Sequence, residues 1–194
     1  MGAPFIGLTG GIGAGKSEAL AALERLGAAV LSTDAVVHSL YEDPEVVAEV
    51  VGRWGDEVAP AGVVDRPAVA RCAFAGDPAE RAWLEGLLWP RVGARMAAWR
   101  EQHAATARAL VVEVPLLFES GMDAAFDATI AVVADESVRE GRARARGHEG
   151  LAERTGRQLT QDEKAARADH VVRNDGAVED LEAALADVLQ RVTA

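Results

Sequence analysis

The chain has 194 residues, of which 49% are hydrophobic and 26% are charged, and its formal net charge at pH 7 is −11. These values are typical of a globular domain with a sizeable core. The acidic balance argues against duplex DNA and anionic membranes as partners. A single cysteine excludes an internal disulfide and a cysteine-based zinc cluster. Because long apolar stretches are missing, we expect a soluble, cytoplasmic protein.

A glycine-rich segment follows the first apolar run of the chain. Phe5 to Leu8 precede TGGIGAGKS at positions 9–17, and an Ala/Leu-rich helical pattern begins at once. This is the Gly-x-x-x-x-Gly-Lys-[Ser/Thr] phosphate loop in its strand–loop–helix context, and chance occurrence in a plain turn is the disfavoured alternative. Glycines let backbone N–H groups wrap a polyphosphate. We expect Lys16 to reach the β- and γ-phosphates and Ser17 to hold Mg²⁺.

The next predicted elements are a helix and a strand that end close to an aspartate. Ser17 to Leu26 carry the periodicity of a helix that ends at Gly27, and Ala28 to Leu31 form a short buried strand. Asp34 follows at the carboxyl end of this strand, where open parallel sheets bind their ligands. This position favours a functional role for the Asp34 carboxylate beside the γ-phosphate. The structural alternative is an N-cap of the following helix.

Positions 41–106 have a helical composition with several Pro and Gly breaks, one of them at Pro90, and they contain all four tryptophans. Val63–Val64 is the one strand candidate. We predict an inserted helical lobe over residues 41–106, with a core formed by 1–40 and 107–194. The tryptophans either pack in the lobe or cover a ligand. Arg66 is a candidate phosphate contact, with a solvated side chain as the alternative.

Two more buried strands, Ala109–Val114 and Asp127–Val133, complete the centre of the predicted sheet. In phosphate-loop proteins a later strand carries an acidic residue that helps to hold Mg²⁺. Glu113 lies inside the first of these strands and Glu119 just beyond it. Both carboxylates are therefore candidates for the metal.

An arginine-dense segment follows the fourth strand, with six arginines between positions 139 and 157 and glycines among them. We predict a mobile lid, about residues 141–160, that closes over the triphosphate and excludes water. Arg142 and Arg146 are four residues apart, so both can converge on one anion. A solvated helix face is the alternative.

The end of the chain is predicted as a helix with a capping box at Thr160–Glu163, a short strand at His170–Val172, and an amphipathic helix at Val178–Val192. Asn174 lies in the polar turn after the strand and is a candidate contact for a nucleotide base. The elements together predict one α/β domain. It is a three-layer, parallel five-stranded sheet with a phosphate loop, an inserted helical lobe and an arginine-rich lid.

The motifs occur in an order that resembles the dephospho-coenzyme A kinases over nearly the whole chain. The blocks that carry this resemblance are LTGGIGAGKS at 8–17, Asp34, the helix Arg66–Phe74, VPLLFE at 114–119 and RQLTQDEKAARADHVVRNDG at 157–176. The loop alone indicates only a phosphate-loop protein, and its combination with the later blocks is far more specific. Lys164 also has a counterpart in the family pattern.

The resemblance implies ATP-dependent phosphorylation of the ribose 3′-hydroxyl of dephospho-coenzyme A, the final step of coenzyme A biosynthesis. ATP and Mg²⁺ would serve a monomer or weak homo-oligomer without nucleic-acid or membrane partners. The implied catalytic residues are Lys16, Asp34 and Arg142. The implied nucleotide contacts are Gly11, Gly13, Ala14, Gly15, Lys16, Ser17, Glu18, Arg142, Arg146 and Asn174. The implied acceptor contacts are Thr9, Asp34, Arg66, Pro115, Leu116, Leu117 and Phe118, and the implied metal ligands are Ser17 and Glu113.

Three positions depart from the family pattern. Ser32 replaces the first aspartate of the usual Asp-Ala-Asp, Trp89 replaces a histidine before Pro90, and Glu18 replaces a threonine. Two other functions share the same core. One is a kinase for a smaller acceptor, such as a nucleoside monophosphate, and the other is a slow NTP-hydrolysing switch. Asp34 and the arginine-rich lid favour a kinase over a switch.

Overall fold

The computed structural model describes residues 2–145 and 158–194, and its centre is a five-stranded sheet. The strands are all parallel and lie in the order β2-β3-β1-β4-β5. Their bounds are β1 Phe5–Gly10, β2 Ala29–Ser32, β3 Leu110–Glu113, β4 Ala128–Val133 and β5 His170–Arg173. The predicted α/β fold with five parallel strands is confirmed, and the predicted strand ends differ by one or two residues.

Helices occupy most of the remaining described chain. They are α1 Lys16–Arg25, α2 Thr33–Leu40, α3 Pro44–Trp54, α4 Arg66–Phe74, α5 Pro78–His103, α6 Glu136–Ala145, α7 Gln161–Arg167 and α8 Val178–Thr193. Short 3₁₀ turns lie at Asp56–Val58, Pro60–Gly62 and Met122–Ala125. Among the described residues, none of these helices combines the length and apolarity that a bilayer span requires.

The chain divides into two compact units. The first comprises residues 1–32 and 100–194 and contains the whole sheet, and the second is Thr33–Trp99. In the first unit, alternate residues of β1 face opposite sides of the sheet, as the period of a strand requires. Ile6 and Leu8 pack with Leu23 of α1 and Leu185 of α8. On the other side, a Cβ on Gly7 would lie 3.0 Å from Leu117 and Phe126. Both faces of the sheet are therefore covered.

The second unit holds a half-buried tryptophan pair. The rings of Trp54 and Trp83 meet edge to face, with centroids 5.0 Å apart. Glu80 accepts hydrogen bonds from Arg53 and from Nε1 of Trp54. The Arg53 hydrogen bond, followed by that of Trp54, lowers the pKa of Glu80. These contacts give both tryptophans a structural role within the helices.

Two details of the predicted lobe are wrong. Pro90 does not interrupt the helix, because α5 is continuous from Pro78 to His103. Its ring removes one helical hydrogen bond, and Gly86, whose carbonyl loses that bond, is exposed to solvent. Val63 and Val64 form no strand; they belong to the irregular segment before α4.

Candidate active site

The phosphate loop between β1 and α1 is held by hydrogen bonds to its own carbonyl groups. Nζ of Lys16 lies 3.1 Å from the Gly10 oxygen and 3.3 Å from the Gly11 oxygen. Nε of Arg139 donates to the Ile12 oxygen at 3.0 Å. Nδ2 of Asn174 donates to the Ala14 oxygen at 2.9 Å.

This pattern of acceptors determines where the loop directs its donors. In a trans peptide the C=O and the following N–H point in opposite directions. The described chain has no cis peptide. The N–H groups that point away from the four bonded carbonyls belong to Gly11, Ile12, Gly13 and Gly15. A run of N–H groups on one side of a turn is the arrangement that binds an anion.

Two glycines of the loop are required by both conformation and space. Gly13 has φ +78° and Gly15 has φ +92°, in the left-handed region that other residues avoid. A Cβ on Gly13 would lie 2.6 Å from the Arg139 carbonyl oxygen. A Cβ on Gly15 would collide with the amide nitrogen of Asn174. The loop is thus packed against residues far along the chain.

The helix after the loop presents its first turn to the same place. Gly15 is the N-cap of α1, which begins at Lys16 and directs its N-terminal dipole toward the loop. Ser17 is exposed in this first turn. Glu18 is partly exposed. Its Oε1 lies 3.5 Å from Nη2 of Arg25, which is two helical turns further along α1.

Asn174 connects the phosphate loop with α6. Its side chain is 5% exposed, and its backbone N–H donates to the Val133 oxygen at the end of β4. Nη1 of Arg142 donates to the Asn174 carbonyl oxygen at 2.9 Å, and Nη2 lies 3.4 Å from its Oδ1. The side-chain amide is therefore engaged by the protein on both atoms. Asn174 supports the loop and Arg142, and its contact with a nucleotide base stays a prediction.

Arg139 and Gln161 were not singled out from the sequence as site residues. Arg139 holds the Ile12 carbonyl, and Gln161 donates to and accepts from the backbone of Ala134 at 2.9 and 3.1 Å. Together with Gly11 and neighbouring residues they line a cavity of 250 Å³ beside the loop. Arg139 belongs to the arginine-dense segment, and this arginine density is the sequence feature that could have identified it. Gln161 carried no such signal.

A carboxylate lies at the carboxyl edge of the sheet, next to the serine that departs from the family pattern. Glu113 is 8% exposed and is the last residue of β3, paired in register with Ser32 of β2. Ser32 Oγ lies 2.7 Å from Glu113 Oε2 and donates to it. Ser32 therefore orients the carboxylate, where a second aspartate would repel it.

Asp34 follows Ser32 by two residues and belongs to the second unit. It lies in the first turn of α2, which begins at Thr33, and its side chain is exposed. The N-cap alternative is therefore not what the structure shows, because the helix has already begun. Within the same unit, Nη1 of Arg66 contacts Nδ1 of His38 at 3.2 Å. His38 is one turn after Asp34 on α2.

The Pro115 turn, residues 115–118, follows β3 and contains four of the residues predicted to contact the acceptor. Thr9 is completely buried, and its hydroxyl donates to the Pro115 oxygen at 3.3 Å. Leu117 and Phe118 are 0% and 8% exposed and belong to the core. Because their side chains are buried, these three residues support the turn in this structure, and their contact with the acceptor stays a prediction. Pro115 and Leu116 are partly exposed.

The remaining predicted residues fall into two groups. Glu119 forms an ion pair with the buried Lys164, with Nζ and Oε1 3.0 Å apart. This pairing occupies Glu119 and leaves Glu113 as the better placed carboxylate for a metal. Arg146 and Arg157 lie outside the described residues. Among the described residues, no group of three or more His, Cys, Asp or Glu side chains forms a ready-made metal site.

A glycine-rich loop with outward N–H groups before the N-terminus of α1, on a five-stranded parallel sheet, defines the phosphate-loop class of α/β proteins. The family model described as dephospho-CoA kinase (CoaE) matches residues 4–180. The chain therefore belongs to the dephospho-CoA kinase family, as the sequence motifs indicated.

Individual proteins and solved structures are similar to this chain over most of its length. A dephospho-CoA kinase of Deinococcus radiodurans is 40% identical over 193 residues, which cover 96% of this chain and 91% of that protein. The crystal structure of TT1252 from Thermus thermophilus has 34% identity and a TM-score of 0.82, with 98% of each chain covered. A dephospho-CoA kinase from Campylobacter jejuni, at 22% identity and TM-score 0.67, shares the fold over 97% of this chain and 96% of that chain.

Proposed function

We propose that this protein transfers the γ-phosphoryl group of ATP to the ribose 3′-hydroxyl of dephospho-coenzyme A, which yields coenzyme A and ADP. The observation that carries the proposal is the phosphate loop with four carbonyls bonded inward, in a chain that matches the dephospho-CoA kinase family over residues 4–180. Family membership supplies the acceptor, and the loop geometry supplies the reason for triphosphate binding.

The nucleotide side of the reaction rests on the loop and on α1. The outward N–H groups of the loop would bind the β-phosphate, and the Lys16 ammonium would move from the Gly10 and Gly11 carbonyls to the phosphate oxygens. Arg142, held by Asn174, retains guanidinium donors that can stabilise charge on the transferring group. Its anchor on Asn174 fixes its position relative to the loop.

The residues present fit a magnesium ion. Mg²⁺ in kinases is bound by one or two protein oxygens together with phosphates and water, so a dedicated cluster of protein ligands is not needed. Ser17 provides an exposed hydroxyl directly after the loop lysine, and Glu113 provides a carboxylate that Ser32 orients. The ion would neutralise charge on the phosphates.

The acceptor side rests on Asp34 and on the Pro115 turn. Asp34 would accept the proton of the 3′-hydroxyl as its oxygen attacks the γ-phosphorus, while the bond to the β–γ bridging oxygen breaks and ADP leaves. An exposed carboxylate in the first turn of α2 is free to meet a substrate hydroxyl. Pro115 and Leu116 offer partly exposed apolar surface to the acceptor, and Arg66 offers a charge for its phosphates.

The test is a substrate panel. The protein is incubated with Mg-ATP and dephospho-coenzyme A, a nucleoside monophosphate, or no acceptor, and ADP release is followed while the product is identified by mass. We expect ADP above background only with dephospho-coenzyme A, and a product that comigrates with coenzyme A. Turnover with the nucleotide alone would point to the smaller-acceptor kinase. Hydrolysis that no acceptor changes would point to the switch.

A further inference from the structure

Lys164 is an ammonium group in the interior of the protein. It belongs to α7 and is 0% exposed, the largest side chain to be buried so completely among the described residues. Its Nζ donates to the Pro115 oxygen and lies 3.0 Å from Oε1 of Glu119. An unpaired ammonium in this environment would be very unfavourable, so these two partners make its burial tolerable. Lys164 therefore bonds to both ends of the segment that follows β3.

Glu119 depends on Lys164 in turn. Its Oε1 also accepts the N–H of Leu159 at 2.9 Å. Its Oε2 is buried, and in the described part of the chain no hydrogen-bond partner is within reach of this atom. The carboxylate is therefore compensated through one oxygen only. Loss of the ammonium would leave a buried charge with a single backbone donor.

The same contacts hold the Pro115 turn from two sides. The hydroxyl of Thr9, in β1, donates to the Pro115 oxygen, and Lys164 of α7 donates to the same atom. The turn also closes on itself, because Ser120 donates its hydroxyl to the Leu116 oxygen at 2.7 Å. Loss of these contacts would let the turn shift, and the shift would move the partly exposed Pro115 and Leu116. Glu113, the proposed metal carboxylate, lies only two residues before Pro115.

A buried ion pair is a poor device for stability alone, since apolar side chains of similar volume often serve as well or better. We propose that Lys164 and Glu119 are positioning residues that fix the Pro115 turn for the acceptor substrate. Neither residue touches the reacting atoms. The inference rests on the proposed function for its kinetic effect, and on the contacts of Lys164 alone for its structural effect.

The test compares Lys164→Met, in α7, with a control just beyond the end of that helix. Asp169, just after α7, accepts hydrogen bonds from the N–H and the hydroxyl of Thr129 in β4. Asp169→Ala therefore loosens the junction of α7 and β4 without touching Pro115. For Lys164→Met we expect the KM for dephospho-coenzyme A to rise about tenfold or more, with the KM for ATP changed less than about threefold. Asp169→Ala should lower the melting temperature without this split.

The double variant Lys164→Met/Glu119→Leu separates positioning from stability. It removes both buried charges, so the melting temperature should recover relative to Lys164→Met. If the acceptor KM stays raised in the double variant, the pair positions the turn. If it recovers together with stability, or if both KM values change in parallel in Lys164→Met, the inference is wrong.

A measurement without substrate keeps the inference testable should dephospho-coenzyme A give no turnover. In that case the proposed function fails, whereas hydrogen exchange still reports on the turn. Amides of Ser120, Gly121 and Met122 bond to carbonyls of Leu116, Phe118 and Leu117. In Lys164→Met they should exchange about tenfold faster, while peptides of the phosphate loop exchange at the wild-type rate. Unchanged exchange of the turn would overturn the inference.

Discussion

The phosphate loop and the Pro115 turn are built by the same device with different donors. Each follows a buried strand at the carboxyl edge of the sheet, and each is held through backbone carbonyls by side chains from distant parts of the chain. Carbonyls of the loop accept hydrogen bonds from Arg139, Asn174 and the loop's own Lys16. The Pro115 carbonyl accepts hydrogen bonds from the hydroxyl of Thr9 and the buried ammonium of Lys164.

The loop and the turn differ in the groups that they present to a ligand. The loop would bind phosphate through main-chain N–H groups, so the hydrogen bonds that fix its carbonyls also fix the direction of those N–H groups. The turn offers the partly exposed Pro115 and Leu116, whose positions depend on contacts beneath them. Changes around the loop should therefore alter nucleotide parameters, and changes around the turn or Asp34 should alter acceptor parameters or turnover.

The largest effect is expected at Asp34. Asp34→Asn removes the proposed general base, so kcat should fall about 10²- to 10⁴-fold, the usual contribution of such a group. The dissociation constant for Mg-ATP should stay within about twofold of the wild type, because the change leaves the loop intact. Steady-state kinetics and calorimetric titration measure the two quantities.

A matched control for Asp34 is Asp43→Asn. Asp43 caps α3 in the same unit by accepting the N–H of Glu45, and asparagine caps equally well. We expect wild-type activity from this variant. Parallel losses of turnover and nucleotide affinity in Asp34→Asn would show that Asp34 is structural, and the division between nucleotide and acceptor groups would fail there.

The next effect concerns the loop itself. Lys16→Ala should lower kcat/KM for ATP about 10²- to 10³-fold, in the range of removing one charge-stabilising donor. The substitution also removes the donor to the Gly10 and Gly11 carbonyls, so part of the loss should appear in nucleotide affinity. The KM for the acceptor should change little. A larger effect on the acceptor KM than on ATP would contradict the separation of the two regions.

The sequence predicted the elements of the fold because their signals are local. The short apolar run of β1 and the helical periodicity of α1 and α8 are determined by neighbouring residues, and the loop motif requires its own flanks. Pro90 shows the limit of a local rule: a proline ends a helix only where the lost hydrogen bond is costly, and at the exposed Gly86 carbonyl it is not.

The contacts between distant residues were not predictable in the same way. Asn174 was predicted to meet a nucleotide base, but its amide lies against Ala14, 160 residues earlier. Thr9 and Leu117 were predicted to contact the acceptor, and the side chains of both are completely buried. Ser32, which looked like a missing aspartate, donates to Glu113. Each outcome depends on which strands are neighbours, and the pattern of one sequence does not contain that order.

A smaller effect is expected from Asn174. Asn174→Ala removes the donor to the Ala14 carbonyl and one acceptor of Arg142, and leaving a buried group unsatisfied costs about 1 to 3 kcal/mol. We expect this cost in the free energy of unfolding and a weaker affinity for ATP, with the acceptor KM unchanged. Asn174→Asp is the control, because it keeps the acceptor for Arg142 and loses the donor. An unaltered ATP affinity in both variants would make Asn174 a purely structural residue.

The smallest effect is a pH dependence of stability away from both regions. The hydrogen bond from the Thr129 hydroxyl is the largest cause that lowers the pKa of Asp169, and the Thr129 backbone N–H adds to it. A carboxyl whose pKa is lower in the folded state stabilises the fold above its unfolded pKa of about 3.9, and this contribution is lost as the pH falls toward the folded pKa.

Asp169→Asn should therefore lower the free energy of unfolding near neutral pH, and the difference from the wild type should shrink below about pH 4. Denaturant unfolding of Asp169→Asn and of the wild type across a pH series measures this difference. Since Asp169 contacts neither the loop nor the Pro115 turn through the bonds described, kinetic parameters at neutral pH should stay at wild-type values. A selective rise in the acceptor KM of Asp169→Asn would contradict this separation and would make Asp169 unsuitable as the control for Lys164.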